Sequence, residues 1–294
     1  MSDQKTSSGG FPQRKPGPWP GWDVKPPADT QTIPNPLDAA PPFRKPAPMF
    51  PIRDHNPSGR TPYVTYALIA ANIAVFLAYW LTIPNEQGLY RFFGTWGLVP
   101  YYVSNGQAYE TIFTSMFLHG GWMHLAGNML FLWIFGDNLE DEMGHLPFAA
   151  FYTASGLAAA ALQIAGDPAS PVPMVGASGA IAGIMGGYLL LFPRARVDVL
   201  FIFIIFFRIF AIPAWIVLLI WFGLQLFNSA MTPTEGGVAY LAHIGGFVGG
   251  LVLALPVLLR RGGVRFWART HGTPPHPPAT YPISRSSIPR VPRR

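Results

Sequence analysis

The sequence predicts an all-α, polytopic membrane protein, on three observations. Half of the 294 residues are hydrophobic and only 12% are Asp, Glu, Lys or Arg, a balance that soluble domains seldom show. Six uncharged apolar runs, at 61–84, 118–136, 146–166, 174–192, 209–230 and 238–259, each reach the ~17 residues that a spanning helix needs. Lys and Arg gather outside these runs, chiefly at the two ends of the chain.

Each segment follows from its composition. Residues 1–60 hold fourteen prolines among scattered charges and cannot bury enough apolar surface to offset ordering entropy, so they are expected to form a disordered, basic tail with no secretory leader. Between the first and second runs lies one longer link, about 85–116, whose Tyr90-Arg91-Phe92-Phe93, Trp96 and Tyr101-Tyr102 suit a membrane–water interface. A short acidic loop (Asp137, Glu140, Asp141, Glu142) is expected after the second run. Before the fourth, Asp167-Pro168-Ala169-Ser170-Pro171-Val172-Pro173 must break a helix. The apolar stretch Val197 to Phe227 is too long for one helix of ~20 residues and is interrupted by Arg208 and Pro213, so 197–212 reads as an interfacial or partly buried lead-in, with the fifth span starting near Ile212. Residues 261–294 read as a second disordered, basic, Pro-rich tail. The body at 61–260 is a single six-helix domain.

Charge sets orientation and narrows the partners. Eight Lys or Arg precede the first run, Arg194 and Arg196 follow the fourth, and eight follow the sixth, whereas the opposite side holds only Arg91; Arg208 is ambiguous. The positive-inside rule then puts both termini in the cytoplasm. The net charge of +6 sits almost wholly in the tails, where anionic lipid headgroups are a nearer partner than nucleic acid, for which no folded module exists. There is no cysteine, which excludes disulfides and thiolate metal sites.

Two polar residues stand alone in the apolar runs: Ser178, in Val175-Gly176-Ala177-Ser178-Gly179-Ala180, and His243, in Tyr240-Leu241-Ala242-His243-Ile244-Gly245-Gly246. Ionisable side chains are costly inside a bilayer and ask for a functional explanation; a serine with a histidine suggests a nucleophile and its base. Ser178 follows the Pro-rich break, so it falls in the first turns of a helix, where unpaired N–H groups and the helix dipole favour developing negative charge. Ser178, Ala182 and Gly186 recur at four-residue spacing, beside Gly176, Gly179, Gly183 and Gly187; on the sixth run Gly246 and Gly250 follow His243. Such small surfaces let two helices pack closely enough to bring Ser178 to His243, although the same pattern also fits plain helix packing with a capping serine and a structural histidine. On the second run, His124 and Asn128 share a helix face and both can donate to an oxyanion, with His119 nearby. A metal is not expected, because there is no His-Glu-x-x-His and no acidic residue within the runs. No carboxylate accompanies Ser178 and His243, so a dyad is expected rather than a triad.

Taken together, Gly176-x-Ser178-Gly179, the His119, His124 and Asn128 set, Ala242-His243-Ile244-Gly245-Gly246 and Gly136-Asp137-Asn138-Leu139-Glu140-Asp141 resemble the rhomboid intramembrane serine proteases of the six-span bacterial type, over about 60–260. The resemblance implies a rhomboid-like bundle in which Ser178 is the nucleophile, His243 the general base, and His124, Asn128 and the Ser178 N–H the oxyanion donors, with His119 in support and no cofactor. It implies a bacterial plasma membrane and transmembrane protein substrates, cut through an acyl-enzyme after the substrate helix unwinds; Trp215, Trp221 and Phe222 of the fifth span fit a gate for lateral entry and fit plain lipid contact equally well. The sequence departs from the family in two places. Ala182 stands where many relatives have a Tyr packed on the histidine, and a Trp-Arg pair of the first long loop is absent, Trp96 and Arg91 being separate. A non-catalytic relative that binds membrane clients is the alternative, though it has no reason to keep all four polar residues; a transporter would be expected to carry paired charges in its spans.

Overall fold

A computed structural model describes residues 49–54, 56, 58–203, 206–231 and 239–275. Most of both predicted tails, 1–48 and 276–294, therefore lies outside the described residues. Short apolar runs become helices in chain order: α1 (Tyr63–Trp80), then α2 (Glu86–Trp96), α3 (Pro100–Ser104) and α4 (Thr111–Thr114) in the long link, then α5 (Trp122–Met143), α6 (His145–Gly166), α7 (Ser178–Leu191), α8 (Ala214–Met231), α9 (Tyr240–Arg260) and a short α10 (Val264–Thr270). All six predicted runs contain a helix. By length and composition, four of the described helices, α1, α6, α8 and α9, are long and apolar enough to cross a membrane. Two fall short for different reasons. α5 carries the acidic residues in its last turns, and α7 has 14 residues, about 21 Å of helix.

The length of α7 follows from its place. Its residues from Ala180 to Tyr188 are all buried, which marks a helix surrounded by others rather than by lipid. α9 lies against it backbone to backbone: a Cβ on Gly246 would collide with the Gly179 carbonyl, and one on Gly250 with that of Gly183. This contact requires glycine. α6 packs on the same pair, its Ala159 Cβ lying only 2.6 Å from where a Cβ of Gly179 would be. The core continues below through Phe135, Tyr188 and Phe192, whose rings meet edge-on at 5.0 and 5.4 Å.

Two expectations are corrected, and a third segment is given its form. The acidic loop is not a loop: α5 runs through Met143, and only Gly144, with φ +84°, separates it from α6. Glu140 is buried at the start of α1, where its carboxylate accepts Val64 N–H and Thr65 N–H (2.8 Å each) and Thr65 Oγ1–H (2.7 Å), with His145 Nδ1 2.6 Å away. It thus supplies the cap that Pro62 cannot give. The lead-in at 197–212 is an antiparallel hairpin, β2 (Arg196–Phe203) and β3 (Phe206–Pro213), in register from Arg196↔Pro213 to Phe203↔Phe206. Its outer strand partner is β1 (Met49–Asp54), giving the order β1-β2-β3. β-branched and aromatic residues crowd this stretch, and they favour a pleated ladder over a helix. Finally, β1 and α10 fall within the two stretches expected to be disordered. α10 is held by its Phe266, buried in the core, and by Trp267 Nε1–H donating to the Leu190 carbonyl at 3.0 Å.

Candidate functional site

Ser178 is the first residue of α7, preceded by Ala177 as the cap. Ile181 N–H reaches the Ala177 carbonyl at 3.0 Å, so the amides ahead of it, Ser178 N–H among them, lie at the open, electropositive end of the helix. The loop that delivers Ser178 is tied to the long link: Leu98 and Met174 exchange both backbone hydrogen bonds (3.0 and 2.7 Å), Tyr101 N–H donates to the Ser170 carbonyl, and Gly176 N–H to the Ser115 carbonyl at 2.9 Å. Backbone lacing of this kind anchors the link without a Trp-Arg pair. α2 in turn packs on α1 through Phe92 and Phe93, whose rings lie 4.8 and 5.8 Å from Tyr79.

His243 sits one turn into α9. The helix start is held by Gln163 of α6, whose Oε1 accepts Ala242 N–H at 3.2 Å. Because α7 and α9 touch through glycine, the His243 imidazole reaches across to Ser178: Nε2 lies 2.8 Å from Ser178 Oγ. Its Nδ1 lies 2.9 Å from Oε1 of Gln225 on α8, and the Trp221 ring is 5.7 Å away at a tilt of 39°. Ala182 is fully buried in the α7–α9 contact. A hydroxyl bonded to an unprotonated ring nitrogen is the arrangement in which that nitrogen can take the hydroxyl proton.

α5 carries the two predicted donors, His124 and Asn128. His124 Nδ1 accepts Gly120 N–H at 3.3 Å, which assigns the ring proton to Nε2. That Nε2 faces Gly176, where a Cβ would stand 2.9 Å from it and 3.4 Å from Ser178 Oγ; Gly176 also has φ +132°. Only glycine serves both needs. Asn128, one turn further along α5, is buried, and its Nδ2 has no hydrogen-bond partner among the described residues. A buried amide donor left free is costly unless something uses it. His119 is fully buried just before α5, with its ring 5.1 Å from that of His124. Its backbone is pinned at both ends by Tyr79, whose hydroxyl donates to the His119 carbonyl (2.6 Å) and accepts the His119 N–H (2.9 Å). His119 thus sits behind His124.

Ser178, His243, His124 and His119 therefore come to one locality with Trp221, while Asn128 lies one turn from His124 on α5; Phe222 is stacked on Phe247 at 4.5 Å, and Trp215 is half exposed at the start of α8. Sequence reasoning overlooked Gln225, Gln163 and Tyr79. A signal exists for the first two: Gln163 is the lone amide of its apolar run and Gln225 shares its run with one other, Asn228, and the rule that singles out Ser178 and His243 applies to buried amides as well.

A model of the rhomboid domain matches residues 105–260, which hold all of these site residues except Tyr79. The chain belongs to the rhomboid family. Among curated proteins, it is 31% identical over 206 residues to rhomboid protein 1, mitochondrial, of Saccharomyces cerevisiae, covering 64% of this chain and 51% of that protein. It is 30% identical over 204 residues to rhomboid protease GluP of Bacillus subtilis, covering 69% of this chain and 36% of that protein. To the human presenilin-associated rhomboid-like protein, mitochondrial, it is 27% identical over 140 residues, or 46% and 34%. This rhomboid chain spans about half or less of the length of these relatives. They come from bacterial and mitochondrial sources alike, so the likeness supports the family rather than a bacterial subtype.

Proposed function

We propose that this rhomboid protein is an intramembrane serine endopeptidase that cuts transmembrane proteins through a Ser178–His243 pair. The observation that carries the reading is the 2.8 Å contact between Ser178 Oγ and His243 Nε2, at the N-terminus of a helix enclosed by its neighbours. In the proposed reaction Ser178 Oγ attacks the substrate carbonyl while its proton passes to His243 Nε2. The oxyanion that forms is met by the Ser178 N–H, His124 Nε2–H and the free Asn128 amide, donors already in place before charge develops. His243 returns the proton to the leaving amine, an acyl-enzyme remains on Ser178, and water releases it by the reverse proton path. His119 backs the His124 ring.

The substrate is proposed to be a membrane-spanning helix that unwinds at the cut, since a helical peptide bond has its carbonyl engaged. Gly or Ala near the cut would ease that unwinding. Entry is proposed past α8, where Trp221 and Phe222 close over His243 and Phe247. The helices of the six apolar runs, α1, α5, α6, α7, α8 and α9, are proposed to span a bacterial-type plasma membrane, with both termini on the cytoplasmic side from the Lys and Arg bias, and with the basic tails against anionic headgroups.

The test is cleavage of a single-span reporter protein in proteoliposomes. Cleavage by the wild type that is lost in Ser178→Ala is the expected result. Reporter that is bound but never cut by the wild type, or cut equally by Ser178→Ala, overturns the proposal, the former in favour of a client-binding rhomboid protein.

A further inference from the structure

The residues buried on α8 are Ala214, Leu218 and Gln225, the rest of the helix being partly or fully exposed. An amide 8% exposed on a helix whose outward side chains are mostly apolar needs a reason, because leaving it unpaired there is costly. Both of its ends are engaged. Nε2 donates to the Trp221 carbonyl one turn earlier at 3.3 Å, and Oε1 lies 2.9 Å from His243 Nδ1. The pairing fixes the orientation of the amide: turned over, its oxygen would face the Trp221 carbonyl, acceptor against acceptor.

We propose that Gln225 is the positioning residue of the site, holding His243 in the tautomer with its proton on Nδ1 and its lone pair on Nε2 facing Ser178. The inference rests on the proposed role of the Ser178–His243 pair. Nδ1–H donates to Gln225 Oε1, and that proton stays on Nδ1 throughout. Nε2 is then free to take the Ser178 proton and pass it to the leaving amine, so that one proton is shuttled and none is gained or lost. A carboxylate would do the same by charge, at the cost of burying a further ion in an apolar surrounding; the neutral amide fixes orientation without that cost. Trp221, one turn before Gln225 on the same face of α8, covers the His243 ring. Together they do the holding that the buried Ala182 has no side chain to do.

The test compares Gln225→Met, which keeps length but loses the acceptor, with Gln225→Glu, which keeps the acceptor, using the full-length protein and the single-span reporter. Gln225→Met is expected to lower kcat about 10- to 100-fold, the usual effect of removing a group that orients an imidazole, with KM changed less than about twofold. Gln225→Glu is expected to restore most of the loss. Nitrogen-15 NMR of labelled histidine in the Ser178→Ala background reads the tautomer without any turnover: His243 is expected to carry its proton on Nδ1, and Gln225→Met to remove that preference. An unchanged kcat in Gln225→Met, equal losses in both variants, or a His243 tautomer indifferent to residue 225 overturns the proposal. A tautomer that depends on Gln225 in a protein that cuts nothing would overturn the protease reading and leave this one standing.

Discussion

At the scale of single residues, the proposed site combines a proton path with donors that await a charge. Asn128 is the clearest of these, since its buried Nδ2 is free among the described residues; Asn128→Ala is expected to lower kcat by about 10²- to 10³-fold, the usual effect of deleting one oxyanion donor, measured with the single-span reporter. Gly176→Ala is expected to be as damaging for another reason. Its Cβ would press on His124 Nε2 at 2.9 Å from a backbone at φ +132°, so activity should fall while the thermal midpoint in detergent shows a loss of about 1–3 kcal/mol. Ser178 and His243 are legible in the sequence because each stands alone in its apolar run, and His124 and Asn128 because they share one run at a spacing that puts them on one face. Gln225 is set apart less sharply, since Asn228 follows three residues later in the same run. An uncharged amide carries no titration cost to mark it, and its partner lies on another helix, at a distance along the chain that no periodicity reports.

At the scale of elements, glycine decides how near α7 and α9 approach, and that approach decides whether Ser178 meets His243. Gly250→Ala places a methyl group against the Gly183 backbone two turns from His243. It is expected to destabilise the protein by about 1–3 kcal/mol through overpacking and to weaken the Ser178–His243 contact without touching either residue, which an activity assay on the folded fraction would detect. Small-residue spacing made this contact readable from the sequence. The hairpin β2–β3 was not readable in the same way, because a long apolar run with an arginine and a proline satisfies the length test for a membrane helix as well as the composition of a strand pair. Pairing with β1, which lies more than 140 residues away along the chain, is a long-range choice that local pattern does not contain. α5 was misjudged at its end for a similar reason: acidic residues read as a loop until Glu140 is seen to cap another helix.

At the scale of the whole described unit, the acidic end of α5 ties distant segments together. Glu140 holds the start of α1, Asp141 accepts Gly59 N–H at 2.7 Å, and Glu142 pairs with Arg261 beyond α9. Glu140→Ala leaves the Val64 and Thr65 donors without their acceptor, and is expected to lower stability by about 3 kcal/mol, read from detergent thermal melts, while kcat per folded molecule stays near that of the wild type because the site lies at the other end of α5. The helix order is legible because each apolar run holds one helix; the ties between ends are not, since they join residues that composition assigns to loops and tails. The account stands or falls on the Ser178–His243 pair, and mass spectrometry after treatment with a fluorophosphonate tests it most directly. The folded wild type is expected to gain one adduct, mapped to Ser178, and His243→Ala to gain none. An adduct that persists in Ser178→Ala, or a folded wild type that gains none, would contradict it.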